Sequence, residues 1–319
     1  MNFGRQNVVQ RNANKTSSFC DPTLGPYGNA AEIKKMIETI NTLDNVVVKY
    51  PQIVQIMEDA AIAAGQQIMG IYANDDIPVD WKADDSPLTQ ADVRAHHVII
   101  DHLSKHLPGI QIISEEDETN TGVVFDNIFF LVDPLDGTKE FIKRTGEFTV
   151  NIGLIIQGVA KLGAVYLPVQ DKLYASAGEG CAIVVRSASK TCNIRQSEKI
   201  TVRKVPTEGP TLVMSASHGS DETHDYCSLY KPTATLSAGS SLKFCKVAEG
   251  KADYYPRLGR TMEWDTAAAH AVLKSAGGNV FSLKDGEELR YGKPGVDNSY
   301  FVATASFNDV IKTNLDWRR

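Results

Sequence analysis

Positive charge is scarce in this chain. Lys and Arg number 33 against 39 Asp and Glu over 319 residues, a formal net charge of −6. That balance excludes the broad basic footprint of a nucleic-acid binder. Any phosphorylated ligand must be drawn by local cations or by metal, because the global field does not attract it. Long apolar runs are also missing, and none reaches the length needed to span a bilayer. Cysteine is sparse: Cys20, Cys181, Cys192, Cys227 and Cys245 are scattered, odd in number and lack metal-ligand spacing. They read as reduced thiols in a cytoplasmic protein. There is no internal repeat or low-complexity tract.

What is present fits a globular protein of one large or two ordinary domains. Residues 1–50 form an extension with Arg5, Arg11 and Lys15 and no acid before Asp21. It is read as a flexible tail with a short helix over 30–43. A transit peptide is the weaker reading, because Arg is sparse and no apolar face repeats. Residues 51–205 read as an α+β domain. Ile53, Ile56, Met57, Ala60, Ala64, Ile68 and Ile71 recur at helical steps. Ser86-Pro87 opens a second expected helix. Strands are expected over 110–113, 128–133, 148–156, 162–167 and 173–176. Pro206 to Pro210 reads as a linker. In residues 206–319 helices and strands alternate, which predicts an α/β domain.

The densest chemistry lies in residues 128–144. An apolar run, Ile128-Phe129-Phe130-Leu131-Val132, leads into Asp133-Pro134-Leu135-Asp136-Gly137-Thr138. Pro134 cannot donate to a ladder, so the strand is expected to end at Asp133. Thr138 opens a helix whose first amides can hold an anion. Two carboxylates beside an anion pocket would repel the ligand unless divalent cations lie between them. That is the logic of metal-assisted phosphoryl hydrolysis. The plain alternative is a turn in which Asp133 caps the helix.

Three other acidic stretches carry the same double reading. Asp92 completes a Thr89-Gln90-Ala91-Asp92 capping box. Ser114-Glu115-Glu116-Asp117 ends a strand and is either a solvated turn or part of a shared site. Asp265 opens Trp264-Asp265-Thr266-Ala267-Ala268 and reads first as an N-cap. Yet it repeats the acid-at-a-helix-mouth design in the other domain, and a cleft between domains would join the two. His96, His97 and His102 share a helix but face different ways, which argues against metal ligation there.

Taken in order, Ser114-Glu115-Glu116, Asp133 to Thr138 and Trp264 to Ala268 resemble the inositol monophosphatase superfamily of metal-dependent, lithium-sensitive phosphatases. Residues 85–92, 137–142, 146–151, 239–244 (Gly-Ser-Ser-Leu-Lys-Phe) and Tyr255-Pro256-Arg257 are similar to its CysQ-type 3′(2′),5′-bisphosphate nucleotidase branch. The resemblance implies a layered αβαβα sandwich of the inositol monophosphatase and fructose-1,6-bisphosphatase type. It implies Mg²⁺ as cofactor, two ions or three. Glu115, Asp133 and the Leu135 carbonyl would hold the first ion, and Asp133, Asp136 and Asp265 the second. A third would use Glu115 and Asp92 through water. Asp92 and Thr138 would activate the attacking water, while Gly137 and Thr138 would take the phosphate oxygens. His218, Ser240, Lys243 and Arg257, with Asp265, would contact the nucleotide and its second phosphate. Glu116 is left as a supporting residue.

The expected activity is therefore hydrolysis of adenosine 3′,5′-bisphosphate to AMP and phosphate, recycling a by-product of sulfate assimilation. Inositol monophosphate or fructose-1,6-bisphosphate hydrolysis on the same metal core is the nearest alternative. A catalytically silent nucleotide-binding regulator is the alternative from another class. Haloacid-dehalogenase-type phosphatases place Asp-x-Asp-Gly-Thr after a strand. The extra residue here disfavours their aspartyl-phosphate route. The expected partner is a small phosphorylated nucleotide, not nucleic acid, and the expected state is a monomer in the cytoplasm. Peripheral association with the inner face of a membrane stays open.

Overall fold

The structure is a computed structural model and describes residues 50–74, 77–82, 87–117, 122–176, 178–190, 195–215 and 221–306. The extension, the helix expected at 30–43, residues Asp85 and Ser86, and His218 lie outside these residues.

The first half forms two helices and a sheet. Helix α1 (Tyr50–Tyr72) buries every residue of the helical stripe read from the sequence. A short ribbon, β1 (Val79–Trp81) and β2 (Pro87–Thr89), leads into helix α2 (Gln90–His106). Pro87 thus sits in a strand. The helix starts three residues later, because the Thr89 hydroxyl accepts from the Ala91 amide and caps it. A seven-stranded sheet follows in sequence order: β3 (Gln111–Ser114), β4 (Ile128–Asp136), β5 (Thr149–Ile156), β6 (Val159–Leu167), β7 (Lys172–Ser176), β8 (Ala182–Arg186) and β9 (Gln196–Lys199). Only the β3–β4 pair is parallel. Helix α3 (Thr138–Ile142) lies between β4 and β5.

The second half builds a five-stranded sheet from β10 (Thr211–Met214), β11 (Ala234–Ser237), β12 (Tyr254–Arg257), β13 (Asn279–Ser282) and β14 (Phe301–Thr304), in the order β11-β10-β12-β14-β13. Its helices are α4 (Asp221–Ser228), α5 (Leu242–Ala248) and α6 (Trp264–Ser275).

Side-chain alternation along β4 shows how the layers stack. Phe130 and Val132 join the core under α1 and α2. Phe129 and Leu131 join a second core with residues of α5 and α6. Beyond α5 and α6 lies the five-stranded sheet. Tyr226 and Cys227 of α4 close its far face with Leu212, Tyr254 and Val302. The layers run helix, sheet, helix, sheet, helix, as expected.

Strand β4 does not stop at Asp133. Asp133 pairs with Asn151 and Asp136 with Thr149, with a register shift between them. Pro134 and Leu135 thus oppose one residue of β5, which is a bulge. Thr149 and Asn151 are two apart on a strand and share a face. Their partners Asp133 and Asp136 therefore share that face as well, and it is the one turned toward α6.

Candidate active site and metal centre

Oxygens of Glu115, Asp133 and Asp265 lie within 4.8 Å of one another. Glu115 follows β3, Asp133 stands before the bulge in β4, and Asp265 sits in the first turn of α6. Asp133 is buried, and its carboxyl is held well above the usual range by that burial and by Glu115, Asp136 and Asp265. Asp265 is raised for the same reasons, burial first and then Asp136 and Glu115. Burial also raises Glu115, with Lys82 opposing. Acids that repel one another in a half-buried cleft need a cation to be ionised together. A donor set made only of oxygen suits a hard divalent ion such as Mg²⁺. The residues present fit such a group.

Asp265 is not the N-cap expected from the sequence. That position belongs to Glu263, and the Asp265 carboxylate instead accepts from the Met262 amide at 2.9 Å. Two glycines bring this helix close to the sheet. Gly153 and Gly163 face each other on β5 and β6. A Cβ at Gly163 would lie 2.0 Å from the Ala268 carbonyl oxygen, and one at Gly153 2.9 Å from the Ala267 Cβ. The alanine run of α6 meets these glycines, so the helix backbone rests on the strands and its first turn reaches the β4 acids.

Asp136 is held from both lobes. Its Oδ2 accepts from the Ser241 amide at 2.7 Å, the Ser240 hydroxyl at 2.6 Å and the Ser241 hydroxyl at 3.0 Å. Asn151 Nδ2 adds a longer bond at 3.3 Å. The Leu135 carbonyl accepts from Thr138 Oγ1 at 3.3 Å, and the Leu135 amide donates to Asp133 Oδ1 at 3.0 Å.

Asp92 carries two functions on two oxygens. Oδ2 accepts from the Thr89 amide at 2.8 Å and hydroxyl at 2.6 Å, completing the capping box. Oδ1 accepts from Thr138 Oγ1 at 3.2 Å. Burial raises its carboxyl, while the Thr89 bonds oppose that rise.

Glu115, Asp136 and Asp265 line a cleft of about 320 Å³, together with Gly137, Thr138, Ser240, Lys243 and Arg257. The cleft is within the range of small-molecule sites. Lys243 is buried and donates to the Ser240 carbonyl at 2.8 Å. Burial pulls its ammonium down to about 8, against the attraction of Asp136.

Sequence reasoning missed four contributors. Lys82 bonds Glu115 at 2.9 Å and Glu116 at 2.6 Å. Nothing local marks it, since the contact spans more than thirty positions. Arg260 also lines the cleft and pairs with Asp297 at 2.7 Å. Thr149 and Asn151 had a signal: they are alternate polar residues on one face of the otherwise apolar strand β5.

The chain belongs to the inositol monophosphatase family, whose profile matches residues 49–312. Among its relatives, the 3′(2′),5′-bisphosphate nucleotidase CysQ of Escherichia coli K12 is 46% identical over 230 residues, covering 72% of this chain and 89% of that protein. CysQ of Buchnera aphidicola is 39% identical over 274 residues, covering 84% of this chain and 100% of its own length. In solved structures, CysQ from Bacteroides thetaiotaomicron matches with a TM-score of 0.69 at 38% identity, over 79% of this chain and 97% of that one. An inositol monophosphatase from Anabaena has a TM-score of 0.61 at 22% identity, covering 84% and 96%. At that identity the likeness speaks for the fold alone.

Proposed function

We propose that the chain is a Mg²⁺-dependent 3′(2′),5′-bisphosphate nucleotidase that converts adenosine 3′,5′-bisphosphate to AMP and phosphate. The observation that carries this reading is the cleft itself. Glu115, Asp136 and Asp265 line it, Asp133 converges on Glu115 and Asp265, and Lys243 and Arg257 line the same space. The carboxylates suit cations and a reacting phosphate, and the two cationic side chains suit a phosphate that does not react. The similarity to CysQ nucleotidases supports the choice of substrate.

In this reading Glu115, Asp133, Asp136, Asp265 and the Leu135 carbonyl would hold two Mg²⁺ ions, and Glu115 and Asp92 would serve a third through water. Bound there, magnesium neutralises phosphate charge and polarises the reacting oxygens. The chain's own residues do the rest. Thr138 Oγ1, fixed by Asp92 Oδ1, orients a water toward phosphorus. Thr138 passes its proton to Asp92 as it takes one from the water. The water oxygen bonds to phosphorus as the bond to the ribose oxygen breaks, and that oxygen takes a proton from solvent to leave as the AMP hydroxyl. The amides of Gly137 and Thr138 take phosphate oxygens. Lys243 and Arg257 pair with the second phosphate, and Ser240 fixes the nucleotide edge. His218 completes the set in this reading, although it lies outside the described residues.

Residues 51–205 would then be the domain with most cation ligands, and 206–319 the one that completes the site. The protein would act as a cytoplasmic monomer in disposal of a sulfate-assimilation by-product. A net charge of −6 supports a small ligand over nucleic acid. No helix among the described residues is long and apolar enough to cross a membrane.

The test is phosphate release from adenosine 3′,5′-bisphosphate, inositol monophosphate and fructose 1,6-bisphosphate, each with Mg²⁺. The nucleotide should be preferred, and a clear preference for a sugar or inositol phosphate overturns the substrate. Asp136→Asn should lower kcat/KM at least about 100-fold, roughly 2.7 kcal/mol of transition-state stabilisation. Full activity in that variant overturns the metal mechanism.

A further inference from the structure

Ser241 lies where the two lobes and two acids of the site meet. It is buried, stands just before α5, and reaches three groups that come from remote parts of the chain. Its amide donates to Asp136 Oδ2 at 2.7 Å. Its hydroxyl lies 3.0 Å from the same oxygen and 2.7 Å from the Asp265 carbonyl oxygen. Asn151 Nδ2, on β5, donates to that hydroxyl at 2.9 Å. The hydroxyl has one proton and two acceptors in reach. The Asn151 amide fixes its lone pairs and leaves the proton to be shared between Asp136 and Asp265.

The consequence for Asp136 is directional. Every hydrogen bond it accepts among the described residues ends on Oδ2, from Ser240, Ser241, Asn151 and Thr149. Oδ2 is satisfied by protein while the residue lines the cleft. The carboxylate is thereby locked in one rotamer, with the other oxygen kept for a cation. The same hydroxyl ties the first turn of α6 to that carboxylate. Supporting hydrogen bonds of this kind typically account for about 10–100-fold in metal affinity.

We infer that Ser241, oriented by Asn151, is the positioning residue that sets Asp136 and Asp265 relative to each other for cation binding. The inference rests on the metal-dependent reading above and adds a residue to which no role was given there. It does not depend on which phosphate ester is cleaved.

The experiment is titration of the purified full chain with Mn²⁺ in place of Mg²⁺, free Mn²⁺ being counted by electron paramagnetic resonance without substrate. Ser241→Ala keeps the amide bond to Asp136 and removes the hydroxyl. Its Mn²⁺ affinity should fall about 10-fold, while its thermal unfolding confirms a folded protein at the assay temperature. Ser241→Thr keeps a hydroxyl and should restore most of the affinity. Asn151→Ala removes the orienting amide, together with its longer bond to Asp136, and should weaken binding several-fold, which decides the matter if Ser241→Ala does not fold. Wild-type affinity in folded Ser241→Ala, or in Asn151→Ala when that is the variant in use, overturns the inference. No Mn²⁺ binding by the wild type overturns it together with the metal reading. Binding by the wild type without hydrolysis of the bisphosphate overturns the nucleotidase reading alone, and the variant comparison still decides the role of Ser241.

Discussion

Asp92 divides its two oxygens between the fold and the proposed chemistry: one closes the capping box of α2 and the other holds Thr138. Asp92→Asn should therefore separate two effects of very different size. Removal of the base should lower kcat by about 100-fold or more. Weakening of the cap should cost only about 1 kcal/mol of stability. Kinetics and a denaturation curve on the same preparation check both. A loss of activity explained by unfolding alone would remove the catalytic role. The capping half of this pair was legible in the Thr-x-x-Asp spacing, whereas the Thr138 half was implied only by the family resemblance. Glu58, on α1, was not legible as special at all. It is buried, and its carboxyl is pushed up to about 8, first by burial and then by Asp59, with Arg195 opposing. The unfolded chain releases this proton near the ordinary 4.5, and the folded chain keeps it to about 8. Across that window the unfolded state binds fewer protons, so stability falls as pH rises. Glu58→Gln removes the titration. It should gain on the parent between pH 5 and pH 8, by roughly 2–4 kcal/mol at the upper end. A difference independent of pH in denaturation curves would contradict this.

Among the elements, β4 and α6 do the most to assemble the site. The extra residue between Asp133 and Asp136 stood out in the sequence, but its structural form did not. A strand that ends at Pro134 and a strand that bulges there have the same local sequence. Only pairing with Thr149 and Asn151 tells them apart. The alanines after Asp265 were equally ambiguous. Read alone they mean helix propensity. Set against Gly153 and Gly163 they mean close approach. Gly163→Ala tests that use of space. A methyl 2.0 Å from the Ala268 carbonyl oxygen cannot be accommodated without moving α6 or β6. Stability should drop by about 1–3 kcal/mol or more. Activity should fall further than stability explains, because Asp265 moves with its helix. A variant that is destabilised yet keeps wild-type kcat at a temperature where it is folded would show that α6 need not sit so close.

On the scale of the whole molecule, the sandwich places a cluster of acids where its two sheets share a helical layer. Asp92, Glu115, Asp133 and Asp136 come from the first half of the chain, Asp265 from the second, and Ser240 and Ser241 bind across. The layered fold and the order of the acids were legible because three separated motifs carry them. Contacts that join distant segments, such as Lys82 to Glu115 and Glu116 or Ser241 to Asp265, leave no trace in local composition. The low positive charge of the chain implied that cations for a phosphorylated ligand would have to be local, and Lys243, Arg257 and Arg260 line the cleft of this acidic protein. The most direct measurement is phosphate release from adenosine 3′,5′-bisphosphate by the full chain as Mg²⁺ is titrated from a chelated start. Release should be absent with chelator and should rise to saturation with added Mg²⁺. Release at the same rate without divalent cation would contradict a site built from converging carboxylates.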